Sequence, residues 1–307
     1  MENQKEAYRR FFCKNEGKLS DADIEKACSE LNESPESLEN GFRELRAMMA
    51  EKQSTEQGAK IVEKFGGKDD AFLLRFLRAR KFDVKKAYEL MACFIKFREK
   101  YPEISENLQS EVVRKSLENG YPGLLPFKDK EGHVVLVFAI GTWDSKLYSF
   151  DTVLQGYILL LEQLLENESA QINGFVIIEN FKHYSMAQAF ALRPTDLKKM
   201  VDMLQGAFPA RFKGVHFIYQ PWYFTWTYAL VKPFLKKKLA DRVHVHGYNL
   251  DAFYSLFDRD QLPVEFGGNA EGYDPLIMTE QLYTAIKDKE LEDDITAKLA
   301  GVQISAD

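Results

Sequence analysis

Cysteine is scarce in this sequence: Cys13, Cys28 and Cys93 are the only three among 307 residues. They form no CxxC pair and no Cys/His ligand spacing, so neither a disulfide framework nor a zinc site is expected. A reducing cytoplasm suits such a chain best. Long apolar runs are missing as well. The longest candidate, Pro221 to Val231, ends after 11 residues at Lys232, whereas a membrane-spanning helix needs about 20. The opening MENQKEAYRRFF lacks the apolar stretch of a secretory signal.

Glycine-rich phosphate loops are also absent. In the nearest segment, Phe65-Gly66-Gly67-Lys68-Asp69, no Ser or Thr follows Lys68, and Val62 stands where a P-loop needs its first glycine. There is no GxGxxG, no GxSxG elbow and no HExxH pair. No enzyme, cofactor or metal is therefore expected. His244-Val245-His246 puts two imidazoles on one face of a strand, but with no further ligand nearby in sequence they read as locally hydrogen-bonded side chains.

What the chain does have is aromatic surface beside positive charge. The stretch QPWYFTWTYALVKPFLKKK, residues 220–238, holds two of the three tryptophans and runs into a lysine cluster. Between Gly206 and Arg242 seven basic residues face one acid, Asp241, although the whole chain carries −6; the remainder is net −12. That asymmetry points to a local anionic partner rather than a generally basic protein; no nucleic-acid partner is expected.

The first 118 residues read as a helical bundle. Ser20-Asp21-Ala22-Asp23 resembles a capping box, Asp69-Asp70 opens a helix, and Asp83 caps another bearing Val84, Ala87, Met91, Phe94 and Ile95 on one face. Arg75, Arg78 and Arg80 lie off the apolar face of the Asp69 helix, as a solvated face or as part of a basic surface. After the turn Tyr121-Pro122-Gly123 the texture changes to β-rich runs at 133–140, 174–179, 214–219 and 242–246, with helices between them. The fold class is α/β, a mixed sheet flanked by helices after an all-α start. The expected divisions are 1–118, 119–283 and a charged tail, helical or disordered, at 284–307.

Glu179 closes the run Phe175-Val176-Ile177-Ile178, which places a carboxylate at the carboxyl end of a strand, where α/β ligand sites lie. Burial there favours the neutral acid. The helix from Thr195 to Phe208 carries Leu197, Met200, Met203 and Leu204 on one side, a surface able to adapt to a flexible apolar ligand as well as to ordinary core.

Taken together, FLLRFLRARKFDVKKAYEL, QINGFVIIENF, FPARFKGVHFIYQPWYF and LPVEFGG resemble the CRAL-TRIO lipid-binding family over about residues 60 to 283. Within it the sequence is most similar to the cellular retinaldehyde-binding branch. Clavesins share FPARF and QPWY, but are expected to carry Asp in place of Glu179 and to lack LKKMVDML.

That resemblance implies a soluble, monomeric carrier. It would hold an 11-cis retinoid, retinal or retinol, in a closed pocket and release it at acidic membranes; tocopherol or phosphoinositide transfer is the alternative within the same fold. The implied ligand-binding residues are Phe138, Trp143, Tyr157, Phe175, Glu179, Lys199, Met200 and Met203, with Lys199 kept protonated rather than forming a Schiff base. Trp222, Phe224, Tyr228, Val231 and Phe234 would form a gate helix. Arg211, Lys213, Lys236, Lys237, Lys238 and Arg242 would meet acidic phospholipid or phosphoinositide headgroups at a peripheral membrane surface. Trp226 has no counterpart in this pattern.

Overall fold

Side-chain caps fix where the early helices begin. Ser20 accepts from the Asp23 amide, Ser34 and Ser37 close a capping box, and Thr55, Asp69 and Asp83 each accept from the third helical residue. These bonds satisfy amides that a first turn leaves unpaired. The computed structural model describes residues 2–13 and 19–304; residues 14–18 of the expected bundle and the last three of the expected tail lie outside the described residues. The helices are α1 (Glu2–Phe12), α2 (Asp21–Leu31), α3 (Pro35–Glu51), α4 (Glu56–Phe65), α5 (Asp70–Ala79), α6 (Val84–Lys100), α7 (Pro102–Ser105) and α8 (Glu111–Glu118).

The capping box expected at Ser20 is half formed. The Asp23 carboxylate leaves its own helix for Ser169 Oγ at 2.9 Å and Asn173 Nδ2 at 2.6 Å. It ties α2 to the second half of the chain instead. Leu45, Ile61, Phe65, Phe76, Met91 and Phe94 form the core of the bundle. Tyr8, Phe11 and Phe12 of α1 belong to the larger core of the α/β part, with the Tyr8 hydroxyl donating to the Leu124 carbonyl at 2.9 Å.

The α/β part runs β1 (Gly123–Lys128), β2 (Val134–Phe138), α9 (Phe150–Leu164), α10 (Glu168–Asn173), β3 (Phe175–Asn180), α11 (Met186–Ala191) and α12 (Pro194–Asp202). A π-helical turn at Met203–Ala207 follows, then β4 (Phe212–Ile218), α13 (Phe224–Val231), α14 (Lys237–Ala240), β5 (Val243–Gly247), α15 (Asp251–Tyr254) and α16 (Pro275–Ile304). The five strands lie in the order β1-β2-β3-β4-β5; β1 is antiparallel to β2 and the other neighbours are parallel. The sheet is therefore mixed, as expected. Strand β1 was not legible as one, because its Gly123 and Pro126 weaken the local signal; at an edge of the sheet both are tolerated.

Alternation decides which side chains meet each face of the sheet. Phe138, Phe175 and Ile177 pack with α9 and α12 on one face, while Val135, Val137, Val176 and Ile178 pack with Phe253 and Phe257 on the other. The expected tail does not separate from the fold: α16 runs through it, with Ile286 buried and Lys289 paired to Glu166 at 2.6 Å.

On the outer face, His216 of β4 stacks between His244 and His246 of β5, at centroid separations of 4.9 and 5.3 Å. The two imidazoles expected on one strand face are thus joined by a third. Burial, then His244 and His246, push the His216 imidazole down to about 3. A depressed imidazole contributes stability that is whole above its unfolded value of about 6.5 and is lost as pH falls toward 3. Between pH 7 and pH 5 the protein should lose about 2 kcal/mol through this residue. Urea unfolding of the parent and of a His216→Leu variant at both pH values measures it as the difference between their pH responses, since Glu179 contributes equally to both; identical responses would show that the imidazole is not responsible.

Candidate functional site

The carboxyl ends of β2, β3 and β4 meet α9, α12 and α13 around an apolar cavity of about 70 Å³. Phe138, Ile177, Phe217, Met200 and Met203 contribute to its walls. The register places Glu179 directly between Phe138 and Phe217, so the strand that carries it delivers its carboxyl to the centre of the site.

Glu179 is buried, and burial pushes its carboxyl up to about 8 against the opposing hydrogen bond from Tyr157, whose hydroxyl donates to Oε1 at 3.4 Å. At neutral pH the group is a neutral acid. It both donates and accepts, which suits the hydroxyl or carbonyl end of an otherwise apolar molecule. Burial, followed by Glu179, raises the Tyr157 phenol well above its ordinary value.

Of the expected ligand-binding residues, the structure brings Phe138, Tyr157, Glu179, Met200 and Met203 to the cavity. Trp143, Phe175 and Lys199 do not line it. Trp143 stands behind the wall, edge-on to Phe138 and Phe150, with its Nε1 donating to the Tyr148 carbonyl at 2.9 Å. Phe175 begins β3, packs on Phe212 and sits four residues before Glu179, at the far end of the strand. Lys199 turns away to Asp151 and Glu103, at 2.7 and 2.8 Å. Burial lowers the Lys199 ammonium, but those two carboxylates outweigh it and leave the group raised, so it stays protonated. The helix still matters, since Lys199 pins α12 in place and so fixes Met200 and Met203.

Phe150, Phe181, Phe217 and Thr227 also line the cavity and escaped sequence reading. Phe217 and Thr227 had a signal: one aligns with Glu179 across the strands, and the other shares a helical face with Phe224, Tyr228 and Val231.

Helix α13 closes the cavity. Phe224, Thr227, Tyr228 and Val231 face inward, whereas Trp222 is 75% exposed, Trp226 57% and Leu230 44%. Phe234 lies past the cavity, packed against the core. The lid is held by rings: Phe224 meets Phe181 at 4.6 Å and Phe217 at 5.2 Å, both edge-on, and Tyr228 stacks on Phe224. Such pairs contribute about 0.5–1.5 kcal/mol each beyond burial. Trp226, unmatched in sequence, points outward and meets Trp222 edge-on at 5.5 Å. The outer face of this segment is aromatic.

Beyond the gate lies a cleft of about 510 Å³ between bundle and sheet. Arg211, Lys213, Lys236, Lys238 and Arg242 line it, as expected from sequence, joined by Arg80, Lys81 and Lys86 of the bundle. Lys237 is exposed and does not line it. Its one acid is Glu30, bound to Arg211 at 2.6 Å and Lys213 at 2.9 Å. Burial raises the Glu30 carboxyl, but the hydrogen bonds and charges of Lys213 and Arg211 bring it down to about 2. Burial, then Arg242, Arg80, Lys81 and Arg211, hold the Lys238 ammonium below its ordinary value. So many cations in one recess stabilise an entering anion.

Arg75 and Arg78 are neither a solvated face nor part of this cleft. Both are buried: Arg75 pairs with Glu166, and Arg78 with Glu33 and Glu168. Their partners lie far away in sequence, so the helix pattern gave no sign of them.

An α/β cage with an apolar, acid-tipped cavity, behind a helical bundle, defines a lipid-binding protein of the CRAL-TRIO type. Residues 118–268 match the family model of the CRAL/TRIO domain and residues 41–92 that of the CRAL/TRIO N-terminal domain; the chain belongs to this family of lipid-binding and transfer proteins. Among known proteins it is similar to Clavesin-1 of Xenopus laevis, 38% identical over 258 residues covering 83% of this chain and 75% of that protein. Clavesin-2 of Homo sapiens is 36% identical over 258 residues, covering 83% and 76%. The crystal structure of Sfh5 shares the fold, with a TM-score of 0.54 and 14% identity over 85% of this chain and 99% of that one.

Glu179 and LKKMVDML were thus not enough to set this chain apart from the clavesins. The similarity carries lipid binding and transfer, and it does not carry the 11-cis retinoid. Among the described residues, no helix is long and apolar enough to cross a membrane, and no group of three His, Cys, Asp or Glu residues is placed to hold a metal.

Proposed function

We propose that this protein transfers or sorts lipid at anionic membranes. The cavity takes the apolar part of a lipid that ends in a hydroxyl or carbonyl, and the basic cleft takes an acidic phospholipid headgroup, a phosphoinositide above all. The role is one of binding and release rather than catalysis. The observation that carries the reading is α13: one of its faces walls the cavity, the other is aromatic, and its end leads into the lysines of the cleft. Aromatics and lysines in that order suit a segment lying at the headgroup level of a bilayer.

Pockets for molecules of lipid size run to about 300–1,000 Å³, well above the 70 Å³ enclosed here. Loading therefore requires the gate or α12 to move outward. Lys236, Lys237 and Lys238 changed together to Glu should weaken binding to vesicles containing phosphatidylinositol phosphate about 100-fold, at about 1 kcal/mol per lysine near the surface. Co-sedimentation measures this, and uptake of α-tocopherol or retinol from detergent solution measures the cavity separately. Unchanged vesicle binding, or equal loss of both activities, contradicts the division of labour between cleft and cavity. Tight uptake of 11-cis-retinal, with no response to anionic vesicles, would instead restore the retinoid carrier.

A further inference from the structure

A second recess lies at the amino end of β2, away from the gate. It encloses about 390 Å³ between α1, the edge strand β1 and the start of α10. Val134 lines it, whereas Phe138, four residues further along β2, lines the gated cavity. That spacing is about 13 Å along a strand. Leu136, fully buried on the same face, stands between them, and the two spaces share no lining residue. They are separate compartments on one face of the sheet.

Apolar side chains make most of its walls: Ala7 and Phe11 of α1, Pro126 and Val134 of the sheet, and Ala170. The wall that α1 supplies is pinned at two points. The Tyr8 hydroxyl donates to the Leu124 carbonyl at 2.9 Å, and Asn167 Nδ2 donates to the Arg10 carbonyl at 2.9 Å. Into these walls the strand register brings a cation. Lys128 pairs with Val134 across β1 and β2, which puts both side chains on one face. Among the described residues its ammonium donates to a hydroxyl, Ser169 Oγ at 2.8 Å, and forms no ion pair. Ser169 sends its own proton on to Asp23 at 2.9 Å. Burial lowers the Lys128 ammonium; Asp23 opposes this by less, and Lys26 adds to it. An ammonium carries three protons, so two remain for oxygens that enter the recess. Arg10, at the rim, is already held by Glu6 at 3.2 Å.

We propose that this recess is a second binding site, for a small amphipathic carboxylate such as a medium-chain fatty acid, with the carboxylate on Lys128 and the chain against Phe11, Pro126 and Val134. The class follows from the groups present. One ammonium without an ion pair neutralises one charge, so a monoanion fits and a phosphate dianion lacks its second cation. A neutral lipid would leave the ammonium desolvated and unpaired. The volume falls within the range of about 300–1,000 Å³ usual for small-molecule sites. The site is independent of the gate and of the basic cleft, and it does not rest on the transfer function proposed above.

Calorimetric titration of the full chain with decanoate, and with decanol as its neutral twin, tests this. Decanoate should bind the parent about tenfold or more tightly than decanol does, as a charged hydrogen-bonded contact predicts. Lys128→Met should weaken decanoate about tenfold or more on the same scale and leave decanol unchanged, and Lys128→Arg should restore decanoate. Ala7→Phe fills the recess from α1 without touching the cation, and should abolish binding of both. Should Lys128→Met fail to fold, as thermal unfolding would show, Ala7→Phe decides.

Hydrogen–deuterium exchange locates the ligand: decanoate should slow the amides of α1 and leave those of α13 as they are. Protection of α13 alone would put the fatty acid in the gated cavity and overturn the second site. Decanoate affinity within about twofold of the parent in both Lys128→Met and Ala7→Phe, set against the same hydrogen-bond scale, overturns it as well. Equal affinity for decanoate and decanol overturns the carboxylate as the ligand class, and no binding of decanoate to the parent overturns the proposal outright.

Discussion

Changing Arg78 to Ala should destabilise the protein by about 3–5 kcal/mol, the usual cost of removing one partner from a buried ionic network. The guanidinium is 2% exposed and makes four hydrogen bonds: two to Glu33 at 2.7 and 2.8 Å, one to Glu168 at 2.8 Å and one to Gln171 at 3.0 Å. Glu33 follows α2, and Glu168 and Gln171 lie on α10, so a single side chain of α5 ties the bundle to the lipid-binding part. Alanine leaves two carboxylates facing each other with the cation gone. Urea unfolding gives the loss directly; replacing Arg78, Glu33 and Glu168 together by Met should restore much of it, because no unpaired charge then remains. A loss below about 1 kcal/mol for Arg78→Ala would place the network with ordinary surface pairs.

The second large effect has the opposite sign. Glu179→Gln should stabilise the protein at pH 7 by about 3 kcal/mol and remove this group's share of the response to pH. The sign follows from proton binding: with the carboxyl raised to about 8 in the fold, the native state keeps a proton that the unfolded chain gives up above its ordinary value. Stability from this group is whole below about pH 4.5 and is lost as pH rises through 8, by about 4–5 kcal/mol in all. Glutamine has no such proton to lose, and it keeps an acceptor for the Tyr157 hydroxyl. Unfolding at pH 5, 7 and 8.5 should show the variant gaining on the parent by about 2–3 kcal/mol between pH 5 and 7 and by more at pH 8.5, on top of the His216 change that both share; parallel curves would mean that Glu179 is solvated or paired in the fold.

Much of the sheet and of the cavity wall was legible because it rests on short-range pattern. An apolar run closed by a carboxylate put Glu179 at a strand end, and helical spacing put Met200 and Met203 on one face, while Phe224, Tyr228 and Val231 came from the resemblance to a gate helix; all of them line the cavity. Charge counting found the local excess of cations between residues 206 and 242, but not Lys81 and Lys86, which the bundle adds to the cleft. Trp143, Phe175 and Lys199 were assigned by resemblance to a pocket that they do not line here. Residue type and position do not say which way a ring or an ammonium turns when Phe138, Phe212 or Asp151 competes for it.

By itself, then, the sequence determined the α/β class, the apolar strands with helices between them, the aromatic stretch that runs into lysines and the local excess of positive charge, all of which follow from residue patterning and composition. Only the tertiary structure decided that Arg78 holds two parts of the chain together, that His216 joins His244 and His246, and that Lys81 and Lys86 complete the cleft. Each of these depends on partners brought together from distant segments, or from neighbouring helices and strands at particular rotations, and those placements are set by the packing of the whole core.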